Sequence, residues 1–177
     1  MTFRTFSSAA LPCALLVACT ATPVRQGEPP AISQSVRVDY DQPGKFSDVG
    51  DRQFNDDRIR AAYLELLRKH IVRSAARHLA DGQTLTISIS EVDITGAFEF
   101  SRRGSGDIRV IRDIYPPRID LRFSLRGADG TQVSSGERRL RDVAYLMHVN
   151  LTRNDLLRYE RALIDRWLES EWPGQKN

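Results

Sequence analysis

Glu91 and Asp93 are the pair in this chain whose type and spacing could do chemistry. On a regular strand, residues two apart share a face, so the carboxylates would stand about 7 Å apart, a separation compatible with general acid and base work. The same pair has a structural use. Arg118 or Arg139 from nearby strands would neutralise it, while Asp142, Tyr159 and Glu160 would fix the last helix to the sheet. Glu91, Asp93, Arg118 and Asp142 are therefore expected as a polar cluster, with no catalytic residue among them.

Arg102, Arg103, Arg109 and Arg112 form a second set, able in principle to hold phosphates of lipid or acidic glycans. Asp107 and Asp113 dilute that charge, which favours a solvated loop. For metals the residues to weigh are His70, His78 and His148; the first two lie eight apart, too far to share an ion from neighbouring helical turns. Neither metal nor cofactor is expected. Nucleophilic catalysis has no Gly-x-Ser-x-Gly elbow to use, and the only cysteines are Cys13 and Cys19.

The elements that must position these groups are legible in the hydrophobic pattern. Val36 to Tyr40 alternates as a half-buried strand and ends in Asp41-Gln42-Pro43-Gly44. From about Asp56 to Ala80 runs a helical pattern whose inner stripe reads Ile59, Ala62, Tyr63, Leu66, Leu67, Ile71, Ala75 and Leu79. Thr84 to Thr95 is a strand that changes phase: Leu85, Ile87 and Ile89 share one parity, Val92 and Ile94 the other. Either a β-bulge near Ser90 returns the later pair to the core, or a regular strand turns Glu91 and Asp93 inward. Buried carboxylates are costly unless paired, which favours the bulge.

Gly96 to Tyr115 reads as an exposed loop with a short strand in Ile108 to Tyr115. Arg118 to Arg126 alternates cleanly, with Ile119, Leu121, Phe123 and Leu125 inward, and Gly127 to Gly130 turns it into a polar edge strand, Thr131 to Leu140. A last helix, capped by Thr152 and reaching about Glu171, has Leu156, Tyr159, Leu163, Ile164, Trp167 and Leu168 inside. The implied fold class is α+β: a mostly antiparallel sheet of about four strands with two amphipathic helices on one face, in the order β-α-β-β-β-α.

Location follows from the N-terminus. The apolar run Ala9 to Ala18 is far shorter than the roughly 20 residues a membrane helix needs, so residues 1–18 read as a signal peptide. Leu16-Val17-Ala18-Cys19 resembles the lipobox of bacterial lipoproteins, which implies cleavage before Cys19 and its acylation. Thr20, rather than Asp, then implies passage to the outer membrane, and the alternative cut after Ala21 would leave a soluble periplasmic protein. Residues 19–35 read as a flexible tether, 36–172 as one α+β domain and 173–177 as a tail. Export removes nucleic acid as a partner, although basic residues outnumber acidic ones 26 to 23.

The remaining motifs are Val36-Arg37-Val38 leading to Pro43, Lys45-Phe46 and Asp48; Glu91-Val92-Asp93-Ile94 before Gly96; Pro117-Arg118-Ile119; Leu140, Asp142 and Tyr145; and Tyr159-Glu160 with Trp167. Together they resemble a family of exported bacterial proteins known as domain of unknown function 3016. The resemblance spans nearly the whole expected domain and implies a shape and a location, but no catalytic residue. The expected function is a non-enzymatic, outer-membrane-anchored binding or accessory domain that faces the periplasm, with the sheet edge and the Arg102 to Arg112 loop as its contact surfaces. The membrane through Cys19 and another envelope protein are its expected partners. The alternatives are a hydrolase-like enzyme using Glu91 and Asp93, or a binder of anionic lipid or glycan through the arginine loop.

Overall fold

The computed structural model describes residues 35–49, 57–100, 107–147 and 155–173. The expected leader, Cys19, the tether, Arg102, Arg103, His148 and the Thr152 cap lie outside those residues. Four strands build the main sheet: β1 (Val36–Tyr40), β2 (Thr84–Asp93), β5 (Arg118–Arg126) and β6 (Gln132–Arg141), ordered β1-β2-β5-β6. β1 runs parallel to β2 and the other pairings are antiparallel. Between β2 and β5 the chain forms a separate hairpin, β3 (Ala97–Phe100) with β4 (Asp107–Val110), where a loop and a short strand were expected.

Helices α1 (Asp57–Ala76) and α2 (Arg158–Glu171) lie on one face of the main sheet. That face carries Leu85, Ile87, Ile89, Ile119, Leu121, Phe123 and Leu125, all buried in one core with Leu67, Ile71, Ile164 and Leu168 of the helices. Each such side chain contributes about 1.5–3 kcal/mol, enough in sum to hold both helices down. The register of β2 against β5 shifts between Ile89 and Glu91, which makes Ser90 the extra residue of a bulge. Val92 and Ile94 thereby return to the core, and Glu91 and Asp93 stay on the helix-free face.

Two helical faces differ from expectation. In α1, Leu64 is buried and Leu66 exposed, because Leu64 shares an azimuth with Leu67, Ile71 and Ala75 while Leu66 lies on nearly the opposite side. In the segment before α2, Leu157 is buried and Leu156 exposed, since both precede the helix and its period does not govern them.

Candidate functional site

The bulge decides where the chemistry sits. Past Ser90, β2 points Asp93 out of the helix-free face directly beside Arg118 of β5, whose own neighbour across the next ladder is Arg141 of β6. Three adjacent strands thus place a carboxylate and two guanidiniums in one row, with strands about 4.8 Å apart. Facing this row is the β3–β4 hairpin, turned by Gly96 at φ +87°, where a Cβ would meet the Val110 carbonyl oxygen at 2.8 Å. Between row and hairpin lies a cleft of about 400 Å³, lined on one side by Asp93, Arg118 and Arg141 and on the other by Phe98, Tyr115 and Pro116.

Few of the expected charges are free. Arg109 is a clamp rather than a surface ligand: its guanidinium donates to the carbonyls of Thr95 and Gly96 at 3.1 and 3.0 Å and to Asp48 Oδ1 at 2.9 Å, while lying over the Phe98 ring. It fastens the hairpin to the end of β2. Arg112 pairs with Glu99 at 2.9 Å. Glu91 Oε1 accepts the Ser47 amide at 2.7 Å and so pins the segment after β1. Arg118 donates to Ser47 Oγ at 3.1 Å and lies 3.8 Å from Asp93, but its Nε is buried and finds no acceptor. Arg139 stands opposite Asp120 and bonds neither Glu91 nor Asp93. Burial raises the Asp93 carboxyl above its usual range; Arg118 opposes the shift, and Asp48 and Glu91 add to it.

The expected cluster loses one member. Asp142 accepts Arg166 of α2 and the Ala144 amide, and lines a different groove between β6 and α2. The ion pair to α2 holds it there, away from Asp93. Its expected role in fixing the last helix to the sheet matches this geometry. So does that of Glu160, fully buried, whose Oε1 accepts both the amide and the hydroxyl of Thr95 at 2.7 and 2.8 Å. Sequence reasoning missed the cleft itself and the part of Asp48 and Arg141 in its surroundings. The Pro116-Pro117 entry into β5 was the available signal, since an extended segment there leaves the hairpin standing off the sheet.

Other surfaces were also weighed from sequence. The β6 edge carries an inward Arg138, which donates to both oxygens of Glu171 at 2.8 and 2.6 Å, and a bulge at Val133. Both features discourage strand addition. His70 Nε2 meets Asp165 Oδ1 at 2.9 Å and His78 is buried. No group of three or more possible metal ligands occurs among the described residues.

At the same end of the sheet, two segments expose large apolar side chains. Ile111 and Ile114 flank Arg112 before β5; Val143, Leu146 and Met147 flank Tyr145 after β6; all five are 40 to 77% exposed. The Tyr145 hydroxyl donates to the Arg112 carbonyl at 2.5 Å and joins the two segments.

Fold and site together define a small α+β domain with helices on one sheet face and a charge-balanced cleft at one end of the other. Residues 34–170 match the family model described as Protein of unknown function (DUF3016), and the chain belongs to that family. It is the family that the motifs around Val36, Glu91 and Pro117 resemble. No curated protein and no solved structure matches the chain. No helix among the described residues is long and apolar enough to cross a membrane.

Proposed function

We propose that the protein is a lipid-anchored, non-enzymatic binding domain of the outer membrane, facing the periplasm, which docks an envelope protein through the end of the sheet remote from its tether. The observation that carries this reading is the set of five exposed apolar side chains on the two joined segments. Monomeric proteins rarely leave such side chains grouped unless something covers them. Arg112 and Arg141 beside them supply the polar rim usual around an interface core.

A hydrolase using Glu91 and Asp93 is the second reading. In its favour, Asp93 lines a cleft and burial raises its carboxyl above the ordinary value. Against it, Glu91 is held by the Ser47 amide and Asp48 by Arg109, so no second free carboxylate faces Asp93 among the described residues.

The test places a photo-crosslinking residue at Ile114, Val143 or Met147 in living cells, with Thr86 as a control site. A discrete protein adduct from the first three, absent from Thr86 and retained in Asp93→Asn, is the expected result. Adducts of equal yield from every position, or none, would overturn the docking reading. Loss of cell fitness in folded Asp93→Asn with the adduct intact would instead favour the enzyme.

A further inference from the structure

We propose that the cleft between the Asp93-Arg118-Arg141 row and the β3–β4 hairpin binds a saccharide bearing a single carboxylate. The cleft adjoins the apolar segments and shares Ile114 and Arg141 with that surface, but the proposal rests on its polar sheet wall and is tested without a docked protein. A cavity of about 400 Å³ lies within the size range of small-molecule sites, roughly 300–1,000 Å³.

Its two walls differ in kind. The sheet wall offers an acceptor, Asp93, then two donors, Arg118 and Arg141, on three neighbouring strands. The opposite wall offers Phe98 of the hairpin with Ile114, Tyr115 and Pro116 of the segment between β4 and β5, which are mostly carbon and ring surface. A ligand that fits both needs a row of groups able to donate and accept along one edge and a C–H face behind it. A pyranose has that construction, because each hydroxyl does both and the ring carbons stack on apolar or aromatic side chains.

The charge balance narrows the class. Asp48 is paired with Arg109 and Asp93 lies near Arg118, so a polyanion would meet two carboxylates. Arg141 is exposed without a partner among the described residues, and Arg118 Nε is buried without an acceptor. One carboxylate answers both guanidiniums, and planar guanidinium groups favour that planar anion. A neutral sugar leaves Arg141 unused, and a phosphorylated one brings excess charge against Asp93.

The experiment is a titration of the full chain followed by amide chemical shifts. The probes are glucuronate, glucose, glucose 6-phosphate, acetate, and a tetrasaccharide of one glucuronate and three N-acetylglucosamine units. Glucuronate is expected to move cleft resonances at Gly96, Phe98 and Arg141 and to bind about tenfold tighter than glucose, the effect of one Arg–carboxylate contact. Arg141→Ala should abolish that tenfold preference while retaining the weak binding of glucose. Arg139→Ala, on the same strand but outside the cleft, should change nothing, and it controls for loss of edge charge. Tighter binding of the tetrasaccharide assigns the source to a glycan chain; equal or weaker binding assigns it to a free sugar acid. Equal affinity for glucose and glucuronate would overturn the proposal, as would acetate or glucose 6-phosphate matching glucuronate. So would still cleft resonances at about 20 mM, where even a millimolar site is mostly filled.

Discussion

Glu160 is the residue whose chemistry is most constrained, because a carboxyl at zero exposure has one oxygen accepting two hydrogen bonds from Thr95 and the other, Oε2, without a partner among the described residues. Burial raises its pKa above the ordinary value near 4.5, against the opposing pull of the Thr95 bonds and of Arg109. The folded state then binds a proton more tightly than the unfolded chain, so stability from this group is full below about 4.5. It falls as pH rises toward the folded value. Glu160→Gln keeps the acceptor for Thr95 and removes the titration, so its stability should fall less than the native protein's between pH 5 and pH 8 in urea unfolding. Parallel pH profiles for the two proteins would refute that. Glu160→Ala strands both Thr95 donors in the core and should cost about 2–4 kcal/mol below about pH 4.5, from unpaired polar groups plus a cavity, and less as pH rises.

Among the elements, β2 sets the site, because one extra residue at Ser90 chooses which side chains enter the core. With Ser90 kept in a regular strand, Glu91 and Asp93 would turn in and Val92 and Ile94 out, a loss of about 3–6 kcal/mol from the two apolar side chains, comparable with the whole stability of a small domain. Deleting Ser90 removes the extra residue and leaves an unbroken alternation in which Val92 and Ile94 stay in the core and every remaining residue keeps its β5 partner. The deletion should therefore leave a folded chain by circular dichroism. Ser90→Ala, which removes only a 3.3 Å bond to the Asp120 carbonyl, should change stability by under about 0.5 kcal/mol. An unfolded deletion variant would mean that the bulge itself, and not only the alternation on either side of it, holds the sheet together. The bulge was legible in the sequence because five apolar residues change parity across it, and β5 because four alternate without a break. The hairpin was not, since Ala97–Phe100 and Asp107–Val110 are each too short to display a period. Its position depends on Arg109 reaching carbonyls more than ten residues away. Leu64 and Leu66 were ambiguous for a related reason: a run of leucines offers two faces, and the packing partner decides between them.

For the whole molecule, register fixes a polarity that composition alone does not contain. Val36, where the chain enters β1, pairs with Leu85 at the start of β2, whereas the cleft and the apolar segments gather at Asp93, Arg118 and Arg141. Eight residues of β2 separate the two ends, about 27 Å along the strand. An anchor at Cys19 would therefore hold the domain by its plain end and present the other, unless the tether let it fold back onto its own membrane. Residues 19–35 could span about 55 Å when extended, so either posture is geometrically open. A single introduced thiol separates them, because Cys13 leaves with the leader and Cys19 is acylated under the proposed processing. Met147→Cys should react with a membrane-impermeant maleimide in the purified protein and be shielded in cells, while Arg126→Cys, at the tether end, reacts in both. With residues 1–19 replaced by a cysteine-free leader that is cut without acylation, the chain would lose its lipid and enter the soluble periplasm under the proposed processing. Shielding of Met147→Cys that survives there identifies a protein cover, and shielding lost with the anchor identifies the membrane. Equal labelling of Met147→Cys in cells and in solution would mean that nothing covers this end of the fold, and the docking reading would fail with it.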